Sequence, residues 1–378
     1  EVFRNLVAEQ VDTDGDDCLQ ADELAGSNGN SFTGTLDIKG EISTLQGIEH
    51  LTTLKEIRFG NLSSPSKSIC DIETADLTKN KNLETIDFYG TVEIDTLNAS
   101  GLTKLNSLDS GSASYPVRMT SLELTGCSGL TRVSWNYISS EKVNLSEATG
   151  LTSFSCLNGC DIKSIDFEGC TSLKSIICSA GTELSNQNLK EIVLDNVPQL
   201  TMLDCSYTAI EELDVRHLTS LESLSFGARS AHMAGEDASD TIYPLKRLVL
   251  GSQLNLNTLG CSYTQIQSLD LSGCPNIKIL NLPGNKNLTS LDVTHVPNLA
   301  SLSLTNSAIS KLDLSKCTQL TELMCDGTEI EELDLRSNSD LRFLDCSNTK
   351  LRTLDVSKNP SIQILDCSYT DIGELDLS

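Results

Sequence analysis

The sequence predicts a single right-handed solenoid, built predominantly from short parallel β-strands on both of its faces. Two observations carry this prediction. A 21-residue phrase repeats almost without interruption through the last quarter of the chain, from Leu299 to Ser378. Within each phrase leucine or isoleucine recurs at positions 1, 4, 11 and 14, and aspartate usually follows at position 15. Because aromatic residues make up only 4% of the chain, we expect a core of aliphatic side chains and thiols.

The period of the phrase indicates the class of solenoid. Read from Leu341 it is LRFLDCSNTKLRTLDVSKNPS, and it starts again at Ile362. A fixed period of about 20–29 residues with this leucine spacing is typical of leucine-rich repeats. We count about fourteen turns over 54–378, of which the last is incomplete. Insertions near 60–71, 111–119, 179–187 and 227–243 follow position 8, so we expect them at one edge of the solenoid.

Each phrase contains two segments of alternating character, L-x-x-L-x-C and L-x-x-L-D-V. Alternation of this kind is typical of strands that bury one side. No segment between them has the length or the pattern of a helix. The sequence therefore predicts parallel strands on both faces; we call the first segment's side the first face and the other side the second face.

Residues 1–30 lie outside the repeat and are predicted to form a helix and a metal-binding loop. Apolar residues at helical spacing predict a short amphipathic helix over 2–11. The sequence DTDGDDCLQADE that follows resembles an EF-hand calcium loop. Calcium requires six to eight oxygen ligands, which such a loop supplies from alternate residues. The resemblance assigns these ligands to Asp12, Asp14, Asp16, the backbone carbonyl of Cys18, Gln20 through a water, and Glu23.

One position of this loop departs from the pattern. Asp17 stands where the calcium loop normally has glycine, and aspartate tolerates the left-handed conformation better than most residues. We therefore expect weaker calcium binding, with an acidic connecting loop as the alternative. Residues 31–53 are predicted to form a capping turn, because the end of a solenoid is an open apolar face.

The repeat also resembles a known bacterial type. The phrase L-x-x-L-x-C-x-x-T-x-L-x-x-L-D-L-x-x-N is similar to the IRREKO-type leucine-rich repeat, and a calcium loop ahead of it is similar to Bacteroidetes surface proteins. The resemblance implies an extracellular or outer-surface location, including lipid anchorage upstream of Glu1, and binding of a protein or a glycan. Position 9 is mostly threonine here instead of asparagine, and we expect its hydroxyl to bridge successive turns.

Fourteen cysteines and a row of aspartates recur with the repeat. Cysteines at positions 6 and 19 are interpreted as buried structural thiols, since equivalent Cβ atoms on neighbouring strands lie about 4.8 Å apart, too far for a disulfide. No Cys-x-x-Cys pair or local Cys/His cluster favours zinc. Aspartates at position 15 would repel one another, and we favour hydrogen bonds over bound cations as the compensation. They are Asp166, Asp214, Asp270, Asp292, Asp313, Asp334, Asp355 and Asp376.

Composition and motifs exclude several classes of function. The formal net charge of −26 disfavours nucleic acid or anionic membranes as partners. No stretch approaches the roughly 18 apolar residues of a membrane span. The four histidines occupy unrelated positions, and no catalytic motif is present, so we expect no enzyme. The predicted function is a non-enzymatic surface or secreted binding protein; a spacer in a longer surface protein and a polysaccharide-acting enzyme are the alternatives.

The candidate binding residues stand out against a polar first face. Met324, Phe343 and Ile364 are predicted to form an apolar patch, and Tyr207, Tyr263 and Tyr369 recur at position 8. Exposed aromatic and apolar groups are typical of partner recognition. The alternative is that the tyrosines pack over their turns and that Phe343 and Ile364 are covered by a further C-terminal cap.

Overall fold

A computed structural model describes residues 2–11, 34–39, 42–60, 69–109, 116–179, 188–227, 242–373 and 375. The chain divides into two compact units, unit 1 over 1–199 and unit 2 over 200–378. Each unit is built from short parallel strands joined by tight turns. The fold class predicted from the repeat, a leucine-rich-repeat solenoid of parallel strands, is confirmed.

Unit 1 begins with helix α1, Val2–Val11, which covers the predicted span. A single-turn 3-10 helix, Ile48–His50, lies in the turn between the first two strands. The strands of this unit are β1 (Thr35–Ile38), β2 (Glu56–Phe59), β3 (Ile69–Asp76), β4 (Thr85–Phe88), β5 (Thr91–Asn98), β6 (Ser107–Leu108), β7 (Val117–Glu123), β8 (Arg132–Trp135), β9 (Ile138–Asn144), β10 (Ser153–Cys156), β11 (Asp161–Asp166), β12 (Ser175–Ile177) and β13 (Glu191–Val193).

The strands of unit 1 alternate between the two faces. On the first face β1, β2, β4 and β6 pair in that order, and β8 pairs with β10, which pairs with β12. On the second face β3, β5, β7, β9, β11 and β13 form one sheet. The pairings among these described strands are parallel and join equivalent phrase positions, for example Phe154 with Val133 and with Ile176.

Unit 2 repeats this plan with shorter turns. Its strands are β14 (Met202–Ser206), β15 (Glu212–Asp214), β16 (Ser223–Gly227), β17 (Arg247–Val249), β18 (Thr258–Ser262), β19 (Ile279–Asn281), β20 (Ser301–Ser303), β21 (Glu322–Met324), β22 (Phe343–Asp345) and β23 (Ile364–Asp366). On the first face β14, β16 and β18 to β23 pair in sequence order. On the second face β15 pairs with β17.

Strands on the second face become scarcer along the chain. From residue 250 onward, the described segments contain strands on the first face alone. In unit 1 the second-face strands reach eight residues, as in β5, whereas the equivalent stretch between two turns of unit 2, for example 307–314, contains no strand. The prediction of strands on both faces therefore holds most fully in unit 1.

The core of each unit lies between its two faces. In unit 2 the position-4 residues of the first-face strands are fully buried, among them Leu203, Leu259 and Leu344. In unit 1 aromatic rings join the core: Phe59 stacks on Phe88 at 5.4 Å, and Trp135 meets Phe154 edge to face at 5.4 Å. Side chains at positions 3 and 5 point outward, as alternation requires.

Candidate binding surface

The predicted calcium loop, with Asp12, Asp14, Asp16, Cys18, Gln20 and Glu23, lies outside the described residues. Among the residues that the structure does describe, no group of three or more His, Cys, Asp or Glu side chains is placed to hold a metal ion. In the same part of the chain, no helix has the length and apolarity needed to cross a membrane.

Three of the predicted binding residues come together on the first face of unit 2. Phe343 and Ile364 face each other across β22 and β23, and Met324 lies on the neighbouring strand β21. Ile364 is 57% exposed, whereas Phe343 and Met324 are half-buried. We call these three residues the apolar strip. Phe343 and Ile364 of this strip line part of a depression of about 400 Å³, together with Glu322 and Arg342.

Carboxylates border the apolar strip. Across the neighbouring strands, Met324 pairs with Asp345, and Asp345 pairs with Asp366. Glu322 pairs with Phe343 in the same way. Asp366 accepts hydrogen bonds from the Ser368 hydroxyl at 2.6 Å and from its backbone N–H at 2.9 Å, and these bonds lower its pKa. The strip is therefore an apolar surface beside a carboxylate that is fixed in position and ionised at neutral pH.

The three predicted tyrosines do not form one site. Tyr207 was expected on the surface but is only 8% exposed, because its ring packs edge to face against Tyr243 at 5.6 Å. Tyr263 is half-buried over Gly284, where an added Cβ would lie 2.3 Å from its ring. Tyr369 is 88% exposed. The alternative, packing over the turn, thus holds for Tyr207 and Tyr263.

The aspartates at position 15 shape turns. In each described case one carboxylate oxygen accepts the backbone N–H two residues later, as Asp270 does from Ser272 and Asp313 from Ser315, both at 2.9 Å. This Asx-turn geometry was the favoured interpretation of the row. The bonds lower the pKa of both carboxyls and hold these carboxylates in place.

The threonines at position 9 bond within their own turn, which corrects the prediction that they bridge successive turns. Thr328 and Thr349 donate to the carbonyls of Cys325 and Cys346, three residues back, at 2.6 and 2.7 Å. The hydroxyl at position 9 is thereby occupied within its own turn. Thr264 differs, because its hydroxyl donates to the longer side chain of Asn285 at 2.7 Å.

Side chains at position 19 donate buried hydrogen bonds to backbone carbonyls of the preceding turn. Asn359 donates through Nδ2 to the carbonyls of Leu335 and Asn338, at 2.9 and 2.8 Å. Where cysteine takes the position, the thiol donates instead, as Cys127 does to the Ala99 carbonyl at 3.1 Å. These cysteines were predicted to act by packing alone. Their exchange with asparagine at one phrase position is the sequence feature that indicates a shared hydrogen bond.

Among the cysteines whose side chains the structure describes, none forms a disulfide, and all are buried except Cys367, which is half-buried. Burial raises the pKa of the Cys261 thiol to about 12. Burial is also the main cause that raises the pKa of the Cys346 thiol to about 12. Cys160 differs: a hydrogen bond from Cys156 lowers its pKa, although its side chain is 2% exposed. These thiols are enclosed and are not accessible nucleophiles.

Unit 1 carries a charged cluster on its first face that sequence analysis missed. Arg58 on β2 donates to Glu56 at 2.6 Å and lies 3.7 Å from the carboxylate of Asp37 on β1. The cluster could have been predicted from residues of opposite charge at the same phrase position in successive turns, because Asp37, Arg58 and Asp87 are in register.

Asp87 is the buried member of this cluster. It is 5% exposed, and one of its oxygens accepts a hydrogen bond from the Tyr89 hydroxyl at 3.2 Å. Burial is the main cause that raises its pKa to about 6, and the nearby carboxylate of Asp109 adds to the shift. Asp87 therefore titrates close to neutral pH.

Comparison with known proteins identifies the fold of this chain but not its function. No family model matches the sequence, and no curated protein is significantly similar to it. Among solved structures, the chain is similar to the functional domain of InlJ from Listeria monocytogenes, which includes a cysteine ladder, at 24% identity and a TM-score of 0.56. The match covers 91% of this chain and 73% of that one.

A second solved structure agrees. The leucine-rich-repeat protein LIC12759 of Leptospira interrogans matches with a TM-score of 0.54 and 18% identity, over 90% of this chain and 85% of that one. The chain has the leucine-rich-repeat fold. At these identities the likeness carries the fold alone, so function must be argued from the surface.

Proposed function

We propose that this protein is a non-enzymatic binding protein that acts outside the cell and recognises a partner protein through the first face of unit 2. The apolar strip of Met324, Phe343 and Ile364 is the observation that supports this proposal. Apolar side chains exposed beside fixed carboxylates are a recurrent feature of recognition surfaces.

The chemistry of the strip defines the partner. Phe343 and Ile364 offer an apolar anchor site, and Glu322, Asp345 and Asp366 surround it with negative charge. A complementary partner presents an apolar side chain flanked by lysine or arginine. The net charge of −26 would speed the approach of such a basic surface.

A binding role also fits the state of the thiols. Cys261 and Cys346, with pKa values raised to about 12, are protonated at neutral pH and do not supply nucleophiles. The outside location, surface or secreted, rests on the resemblance of the repeat and the calcium loop to bacterial surface proteins. Antibody labelling of intact source cells tests it.

The proposal is tested by capture on immobilised protein. Wild-type chain and the variant Ile364→Ser are exposed to the same extracellular protein fraction, and the retained proteins are quantified by mass spectrometry. Leu254→Ser is the matched control, because Leu254 is 58% exposed, like Ile364, but lies outside the first-face strands.

We expect a protein that wild type and Leu254→Ser retain equally and that Ile364→Ser retains about ten-fold less, since losing a buried apolar anchor costs about 1.5–3 kcal/mol. Added salt should weaken the same capture, because rim charges are screened. Equal retention by all three proteins would exclude the apolar strip as the binding surface.

A further inference from the structure

A groove runs along the edge of unit 2 where the first-face strands β18 to β21 enter their turns. It is lined by Tyr263, Gly284, Lys286, Asn306, Ser307 and Glu329, with Ala308 and Gly327, and encloses about 430 Å³. Small-molecule sites are typically clefts of about 300–1,000 Å³. We propose that this Tyr263 groove binds a neutral glycan, with one sugar ring stacked on Tyr263.

The groove is shaped by left-handed residues at position 8. Tyr263 and Gly284 have φ of 55° and 72° in neighbouring turns. The ring of Tyr263 lies over Gly284, and the Asn306 side chain lies over Gly327 in the same way, since a Cβ there would be 2.3 Å from its Oδ1. Each glycine thus leaves room for the larger side chain of the turn before it, and four successive turns give the groove a length of about 14 Å.

The polar groups of the groove both donate and accept hydrogen bonds. Lys286 is exposed and forms no ion pair with any described residue, so its ammonium group is available. Asn306 contributes an exposed carboxamide, and Glu329 a carboxylate held by Lys350. Ser307 is 3% exposed, and its hydroxyl has no partner within the described chain. Sugar hydroxyls also donate and accept, which matches this mixed set.

The aromatic ring supplies the second part of sugar recognition. The C–H groups on one side of a pyranose ring carry partial positive charge, and the face of an aromatic ring is negative. Burial, with a smaller contribution from Asp326, raises the pKa of Tyr263, so the phenol is neutral at physiological pH. A neutral ring beside hydrogen-bonding groups favours an uncharged sugar.

Other ligand classes fit less well. The lining offers one unpaired ammonium group in a chain of net charge −26, which disfavours phosphorylated ligands. A peptide adding as a strand needs a free sheet edge, but β18 to β21 are each paired on both sides. Tyr263 and Ala308 are the apolar side chains of the lining, too few to anchor a hydrophobic ligand.

The test uses the full chain on an array of neutral glycans, followed by calorimetric titration of each oligosaccharide that binds. We expect at least one to bind and Tyr263→Ala to weaken it about ten-fold, whereas Tyr263→Phe changes it by less than about three-fold. Tyr369→Ala is the matched control, since Tyr369 occupies the same phrase position with φ 57° but lies outside the groove.

Thermal unfolding of every variant separates binding from folding. Lys286→Gln and Ser307→Ala should also weaken the glycan in a stable chain, whereas Ile364→Ser on the apolar strip should leave it unchanged. Absence of any glycan on the array, or binding that survives Tyr263→Ala, overturns the proposal. Displacement of a bound glycan by peptides, with peptides binding more tightly, would also overturn it in favour of a peptide groove.

Discussion

Single residues with left-handed backbone decide where each turn leaves its strand. Position 8 holds Tyr263, Gly284, Asn306 and Gly327 in successive turns, all with φ between 55° and 72°. The larger side chains fold over the glycine of the next turn, so the alternation of large and small residues is a packing requirement. The sequence showed tyrosine at this position but not the conformation that directs its ring.

Gly227, one position earlier in its phrase, tests a second requirement, the close approach of backbone between successive turns. It has φ 76°, and an added Cβ would lie 1.6 Å from the carbonyl oxygen of Ser262 on the paired strand. Gly227→Ala should lower the free energy of unfolding by about 3 kcal/mol or more, because a left-handed alanine costs about 1–2 kcal/mol and the clash is with backbone.

The matched control for this substitution is Gly373→Ala, since a Cβ there would have no neighbour within 4 Å. Its effect should stay within about 0.5 kcal/mol. Urea unfolding monitored by circular dichroism measures both variants. Equal midpoints for the two variants would show that the β16 end is not held as described.

Asp87 is the residue whose titration should affect stability. Its pKa is raised to about 6 in the folded chain, against about 3.9 for a free aspartate. The folded state therefore holds its proton longer than the unfolded state, and stability falls as pH rises from about 4 to about 6. Above that range the carboxylate is buried as an anion beside Glu56 and Asp109.

Asp87→Asn removes this buried charge. The variant should be more stable than wild type at pH 7.5, by on the order of 2 kcal/mol, and the difference should shrink as pH falls toward about 4. Asp95→Asn on β5 is the control, because it removes the same charge from an exposed position. A constant difference between Asp87→Asn and wild type across this pH range would contradict the assignment.

At the scale of elements, a short strand is stabilised mainly by its neighbours. First-face strands of three residues, such as β19 to β22, bury one leucine each and rely on hydrogen bonds between turns. Position 19 supplies these bonds through asparagine, glutamine or cysteine. The side-chain Oδ1 atoms of Asn338 and Asn359 have no partner among the described residues, so a thiol, which is a donor with little acceptor demand, can replace the carboxamide.

Asn359 is the member of this ladder best suited to mutation. Asn359→Ala removes both donated bonds, which should cost about 1–3 kcal/mol, while the carbonyls of Leu335 and Asn338 each keep one backbone hydrogen bond. Asn359→Cys should recover part of this loss, because Cys127 and Cys170 make the equivalent bond at 3.1 Å.

Asn276→Ala serves as the control, since its bond to the Leu254 carbonyl at 2.8 Å is exposed and water can replace it. We expect a change of less than about 0.5 kcal/mol. Thermal unfolding ranks the three variants. A cysteine variant no more stable than the alanine variant would show that these thiols act only by packing.

The elements also show what a sequence can predict. Leucine at position 4 and alternation around it were sufficient to predict the parallel first-face strands, because burial of one side fixes their register. The hydrogen bonds of Asp270 and Asp313 could also be predicted, because their partners are next to them in the sequence. The burial of Tyr207 was not, since it depends on Tyr243, which lies at the end of the insertion near 227–243. Nor was the buried charge of Asp87, which depends on Glu56 and Asp109 from the two neighbouring turns.

For the whole molecule, charge is the dominant property. With 53 acidic and 27 basic residues the folded chain repels itself, and the described ion pairs, such as Lys163 with Glu141, are exposed and weak. Salt should therefore raise the melting temperature by screening this repulsion. Any divalent cation would do the same without a specific site, so a calcium site must be separated from this general effect.

Calcium titration at constant ionic strength makes that separation. If Asp12 to Glu23 binds calcium, then calcium at about 100 times its dissociation constant should stabilise the cap by about 2.7 kcal/mol, because it binds the folded loop and not the unfolded chain. Magnesium at the same concentration should do less, since it prefers six rigid ligands and keeps its waters. Asp12→Ala should abolish the calcium-specific part while preserving the response to sodium chloride. Calorimetry on chelator-treated protein measures the site directly; equal heats and equal melting temperatures for wild type and Asp12→Ala would reduce this loop to an acidic connector.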